Sequence, residues 1–84
     1  VRHQPVGFEL LAATFPLGAL QRLYEALLDK TFDKANFRKK ILSMGLLIET
    51  GEREQNVSHR PGKLYRFDQE RYDELIAKGF SFEL

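Results

Sequence analysis

The sequence has no cysteine and no tryptophan, one methionine and three prolines. Without cysteine there is no disulfide and no thiolate ligand or nucleophile, which fits a reducing compartment. Histidine is almost as scarce. His3 and His59 stand far apart, so no metal site is expected. No apolar run approaches the roughly 18 residues that span a bilayer, so no membrane partner is expected. The opening Val1-Arg2-His3-Gln4-Pro5 leads into no apolar stretch of secretory length. No signal peptide is expected, and the expected location is the cytoplasm. A glycine-rich phosphate loop, a paired-histidine motif and a serine beside a base are all missing. Neither enzymatic activity nor a cofactor is therefore expected. Glu52 and Glu54 are close in sequence but have no nucleophile beside them, and they read as ion-pair partners of Arg53 and its neighbours.

What is present is one small domain's worth of chain. At 84 residues, 43% hydrophobic and 30% charged, the balance is that of a folded domain rather than a disordered segment. The first residue is Val, and a piece of a longer chain is expected. The net charge of +1 conceals an uneven distribution. Residues 1–33 carry three bases and four acids, residues 34–66 eight bases and three acids, and residues 67–84 two bases and five acids. The positive field is concentrated in the middle third.

That third opens with a marked helix. Asp33 is a good N-cap, because its carboxylate accepts from an orphan backbone N–H of the first turn. Phe32 before the cap and Phe37 at the fourth helical position have the spacing of a hydrophobic staple. Phe37, Ile41 and Met44 recur at i, i+4, i+7 and define a core face. Gly45 suits the left-handed residue that closes a helix. Lys34, Arg38, Lys39 and Lys40 are four of the first seven helical residues.

Around it, Phe8, Leu10 and Leu11 predict a short helical turn, and Pro16 predicts extended chain with a very short strand near residues 15–17. Leu20, Leu23, Tyr24, Leu27 and Leu28 predict a helix over 18–30, with Gly18 as cap aided by Gln21 and a stripe wide enough for two partners. A three-residue connection joins it to the capped helix, the spacing of a helix-turn-helix. Leu46 to Thr50 reads as a strand, residues 51–62 as a loop, and the alternation in Lys63-Leu64-Tyr65-Arg66-Phe67 as a second strand. Asp68 caps a last helix running to about Lys78, with a Phe67–Tyr72 staple and Gly79 as terminator. The tail 80–84 is placed to pack on the body or to meet another domain. Helices, strand, loop, strand and helix in this order make an α+β (mainly α) domain, a winged helix-turn-helix with a two-stranded wing hairpin and a C-terminal helix. In that architecture the helix before the hairpin enters the DNA major groove, and the loop is the wing.

The candidate contacts follow from side-chain chemistry. Lys34, Asn36, Arg38, Lys39, Lys40 and Ser43 on the capped helix offer phosphate neutralisation and base-edge hydrogen bonds. Arg38 lies between the two faces, where it is equally placed to pair with an acid. On the wing, Ser58, His59, Arg60 and Lys63 are placed for phosphate, with Pro61 and Gly62 shaping the tip. The plain alternatives are a solvated helix face and a surface loop. Tyr24, Tyr65 and Tyr72 read as core aromatics. The competing reading of the whole domain is a protein–protein contact module, and a weaker one is RNA binding.

Five segments resemble a known family. They are Pro5-Val6-Gly7-Phe8-Glu9-Leu10-Leu11, Leu20-Gln21-Arg22-Leu23-Tyr24-Glu25-Ala26-Leu27-Leu28, Asp33-Lys34-Ala35-Asn36-Phe37-Arg38-Lys39-Lys40-Ile41-Leu42, Gly45-Leu46-Leu47, and Arg60-Pro61-Gly62-Lys63-Leu64-Tyr65-Arg66-Phe67. Together they are similar to the C-terminal winged-helix domain of the Nudix-related bacterial transcriptional regulators. The resemblance implies a Nudix-like sensor domain upstream of Val1 that binds a small nucleotide or sugar effector. It implies a homodimer acting on palindromic double-stranded DNA, usually as a repressor. Departures from the family pattern are Pro16 and Gly18, which weaken the start of the second helix, Ala35 on the reading helix, and Gly62, which is expected to loosen the wing.

Overall fold

The computed structural model describes residues 4–84, and the reading of the first three residues lies outside them. A 3-10 turn at Phe8–Leu10 leads to strand β1 (Phe15–Pro16), helix α1 (Leu17–Leu28) and helix α2 (Lys34–Ser43). Strands β2 (Leu47–Arg53) and β3 (Lys63–Phe67) and helix α3 (Gln69–Ala77) follow. This is a winged helix, mixed α+β. The sheet is antiparallel with β3 in the centre, between β1 and β2. The wing hairpin is thus tied to the start of α1 through Phe15 opposite Tyr65 and Pro16 opposite Leu64.

The core is largely aromatic. Phe8, Phe15, Leu17, Leu20, Tyr24, Phe37 and Ile41 form one buried cluster. Burying each such side chain is worth about 1.5–3 kcal/mol. Phe8 is its hub, with ring centroids 6.0 Å from Phe15, 6.2 Å from Tyr24, 4.7 Å from Phe67 and 6.0 Å from Phe82. The N-terminal segment reads as weakly patterned because a single turn carries no periodicity. Gly7 makes that turn fit: its φ is +98°, and an added Cβ would stand 2.7 Å from Leu27 Cδ1. The Tyr24 hydroxyl donates to the Val6 carbonyl. Burial first, then Glu9 and Tyr72, push its phenol above the ordinary range.

Several expectations need correction. Helix α1 begins earlier than expected: Pro16 takes the cap position with extended backbone and no side-chain hydrogen bond, and Gly18 lies inside the helix. Its stripe buries Leu17, Leu20 and Tyr24, while Leu27 and Leu28 are 44% and 46% exposed. The helix ends at Asp29, a left-handed residue with φ 51°, and its last turn is only partly covered, with Leu27 against Gly7. Strand β2 runs on to Arg53, through residues expected in the loop. The register shifts between Glu49 and Arg53, and Gly51 there has φ +85°. This is an irregularity of bulge type, which the glycine permits and which Thr50 closes by donating to the Leu64 carbonyl at 3.0 Å. The tail packs on the body, with Phe82 and Leu84 against the central cluster.

Candidate nucleic-acid interface

Helix α2 is placed by its two ends. The Asp33 carboxylate accepts from the Asn36 N–H at 2.9 Å, and the rings of Phe32 and Phe37 lie 5.3 Å apart. At the other end Gly45 has φ +71°. Phe37 and Ile41 are buried and Met44 half-buried, as the spacing predicts.

The rest of the surface falls into three lines, each following the helical rise. Ala35, Lys39 and Leu42 are furthest from the core. Asn36, Lys40 and Ser43 form one flank, and Lys34 and Arg38 the other. All eight are exposed. Among the described residues, no ion pair involves Lys34, Arg38, Lys39 or Lys40. Arg38 is thus not paired with an acid. Ser43 Oγ donates to the Lys40 carbonyl at 2.7 Å, which leaves its oxygen as an acceptor. Asn36 and Lys40 also line a depression of about 250 Å³ with Phe32, Phe37 and Leu84. Leu42, 43% exposed, went unnoticed in the sequence; its i, i+7 relation to Ala35 was the available signal.

One of these cations stands where a helix tolerates it least. Lys34 occupies the first turn, which has no acid within it. A positive charge there opposes the helix dipole, at about 0.3–1 kcal/mol. Lys34 and Arg38 are also like charges at i, i+4, which costs about 0.2–0.5 kcal/mol. Lys40, in the last turn, is on the favourable side.

The wing spans residues 54–62, and its root is tied twice. The Glu54 N–H donates to the Gly62 carbonyl and the Gly62 N–H donates to Glu54 Oε1, each at 2.9 Å. A Cβ on Gly62 would meet that carboxylate oxygen at 3.1 Å. Both backbone polar groups of Gly62 are thus engaged by Glu54 at the root of the wing. Arg53 does not pair with its neighbouring glutamates; its guanidinium donates to the Pro61 carbonyl at 3.2 Å. Ser58, His59 and Arg60 are exposed on the loop. His59 Nδ1 lies 2.9 Å from the Arg60 carbonyl and 4.0 Å from Glu54 Oε1. Lys63 sits at the strand end with its Nζ 3.2 Å from Glu49, so part of its charge is answered within the sheet. The helix residues share one element and the loop residues another. Among the described residues, no hydrogen bond or ion pair joins the two groups. No set of three His, Cys, Asp or Glu gathered for a metal occurs among them either. No described helix is long and apolar enough to cross a membrane.

The family described as the NrtR DNA-binding winged helix domain matches residues 7–67. The chain belongs to this family. Among its relatives is the ADPR responsive transcriptional repressor NtrR of Acinetobacter baylyi, 32% identical over 72 residues, or 86% of this chain and 28% of the relative. The crystal structure of Shewanella oneidensis NrtR complexed with a 27mer DNA superposes with a TM-score of 0.67 at 32% identity. That match covers 75% of this chain and 28% of the NrtR chain. The chain thus spans a little over a quarter of the length of these relatives.

Proposed function

We propose that this domain is the DNA-binding part of a bacterial transcriptional repressor, with α2 entering the major groove and the wing touching the phosphate backbone. The observation that carries the reading is the exposed, unpaired state of Lys34, Arg38, Lys39 and Lys40 on a capped, stapled helix. A helix that keeps four unpaired cations, one of them against its own dipole and two of them like charges at i, i+4, is held ready for a polyanion. Lys39 is central and Asn36 stands beside it with a side-chain amide free to read adenine. Lys34, Arg38 and Lys40 contact flanking phosphates, Ser43 accepts at the groove edge, and His59, Arg60 and Lys63 extend the footprint. The Acinetobacter and Shewanella relatives support this reading by name and by the DNA in the latter's crystal.

The domain is proposed to stand at the C-terminal end of a longer, cytoplasmic regulator with a Nudix-like sensor domain upstream. That regulator acts as a homodimer on a palindromic operator and responds to a nucleotide- or sugar-type effector. The ADPR-responsive relative favours a nucleotide sugar diphosphate. Catalysis has no part in this function. A duplex titration at two salt concentrations tests the reading. Affinity should fall with salt, and Lys39→Ala or Lys40→Ala should each lower the log–log slope by about 1. Fusion to a dimeriser should strengthen binding by engaging half-sites roughly 34–36 Å apart. Absence of salt-sensitive binding, even in the fusion, would sink the proposal.

A further inference from the structure

Helix α2 buries two side chains, Phe37 and Ile41, on a single line of its surface. Two apolar contacts one turn apart hold the helix against the core but do little to stop it swinging across the core surface about its N-terminal end. Directional bonds are needed to fix its tilt, and the residue before the cap receives them. The Phe32 N–H donates to Glu25 Oε2 at 2.9 Å, and the Phe32 carbonyl accepts from Gln21 Nε2 at 3.0 Å. Gln21 Nε2 also lies 3.3 Å from the same Glu25 oxygen, which joins the two holders to each other. Both backbone polar groups of Phe32 are thus gripped by side chains one turn apart on α1. The Phe32 ring is held as well, by Phe37 on one side and by Lys30 Nζ 5.0 Å from its centroid. Helix α1 is itself anchored in the core through Leu17, Leu20 and Tyr24.

From this geometry we infer that Gln21 and Glu25 are positioning residues that set the angle at which α2 is presented to DNA. The inference rests on the DNA-reading role proposed above. The peptide planes on either side of Phe32 fix the direction in which Asp33 and the first helical turn leave α1. A helix of 10 residues is about 15 Å long, so a tilt of about 10° moves its far end by roughly 2–3 Å. Base-edge hydrogen bonds operate within a few tenths of an ångström and do not survive that displacement. Long lysine side chains reaching phosphate do. Loss of the grip should therefore damage sequence discrimination and spare general affinity for DNA. A merely structural role would lower both together.

The test compares two probes: a duplex recovered by the parent protein from a random-sequence pool, and a mixed-sequence duplex of equal length. Glu25→Ala should weaken binding to the selected duplex tenfold or more. Its affinity for the mixed duplex, and the salt slope there, should stay within twofold of the parent. Glu25→Gln keeps an acceptor oxygen at the same place and should recover the selected affinity to within threefold. A parallel loss on both probes, no loss at all, or a Gln variant no better than Ala would each overturn the inference. Should Glu25→Ala fail to give a folded circular-dichroism spectrum, Gln21→Ala, which removes one of the two ties, carries the same test. If the parent itself shows no salt-sensitive binding, the DNA reading fails. The grip is then judged by residual dipolar couplings. A change of 10° or more in the α1–α2 angle in the variant supports it, and an unchanged angle refutes it.

Discussion

Helices α2 and α3 are built to one plan and end with opposite surfaces. Each starts after a phenylalanine, takes an aspartate cap, stacks an aromatic at the fourth position and stops at a left-handed glycine. The caps accept at 2.9 Å in α2 and 3.0 Å in α3, and the staple rings stand 5.3 and 5.4 Å apart. Gly45 and Gly79 have φ of +71° and +92°. On α3, however, the polar side chains answer one another. Arg71 faces Glu74 at 3.7 Å, Gln69 donates to Asp73 at 2.9 Å, and Glu70 lies in the first turn where the dipole favours it. On α2 the cations find no such partners. The caps and staples thus fix where a helix begins and how it docks. The pairing of their outer side chains is where the two helices differ, as expected if α2 meets DNA in the way proposed.

Four experiments press on that contrast. Phe37→Ala should have the largest effect, about 3–5 kcal/mol in denaturant melts, because the ring is 3% exposed and belongs to the central cluster. Tyr72→Ala, outside that cluster, should cost less; an equal loss would mean that both helices dock alike. Next come the caps. Asp33→Ala and Asp68→Ala should each lower stability by about 0.5–2 kcal/mol in thermal unfolding. Asp33 should sit at the upper end, since Lys34 has no other acid to offset it in the first turn. A melt unchanged by Asp33→Ala would move the start of α2.

The third experiment exchanges the electrostatics. Lys34→Glu should raise stability by about 0.3–1 kcal/mol by serving the helix dipole and facing Arg38 with an opposite charge, while weakening duplex binding. Glu70→Lys should destabilise α3 by a similar amount and leave duplex binding as it was. If Lys34→Glu destabilises, the positive charge is answered in a way the geometry does not reveal. The smallest effect is expected from Arg71→Ala, under about 0.5 kcal/mol for an exposed pair. Lys39→Ala should likewise leave the melting temperature in place, yet change the salt slope. Equal slopes for the two variants would erase the functional difference between the helices.

The plan of α2 and α3 is legible in the sequence because caps, staples and terminators act within five or six residues. Aspartate, two aromatics and a glycine at fixed offsets are enough to place both helices and both hairpin strands' inner ends. What escaped the sequence depends on partners far along the chain. By spacing Gln21 belongs to its own first turn, but its amide reaches Phe32, eleven positions on. By proximity in sequence Glu54 pairs with Arg53, but its carboxylate accepts from the Gly62 N–H. Residues 51–53 look like turn chemistry because Gly51 serves an irregular strand in place of a loop. Leu27 and Leu28 obey the helical period and still stay nearly half exposed, since periodicity shows which residues share a face and not how fully an element covers it. Of the candidate contacts, sequence spacing separated the outer residues of α2 from its core line. It gave no warning that Lys63 is engaged by Glu49 across the sheet.

The two-residue strand β1 has a mechanical consequence out of proportion to its length. Pro16 both faces Leu64 of β3 and adjoins the first residue of α1. From there α1 grips Phe32, α2 runs on through Gly45 and Leu46 into β2, and β2 pairs back onto β3. Wing, first helix and second helix therefore form a closed frame, joined in some corners by covalent chain and in others by hydrogen bonds. In such a frame stiffness belongs to the circuit and not to any one member. In the proposed complex a load on the wing would be shared with α2 through α1, and opening any single corner would turn the frame into a hinged chain.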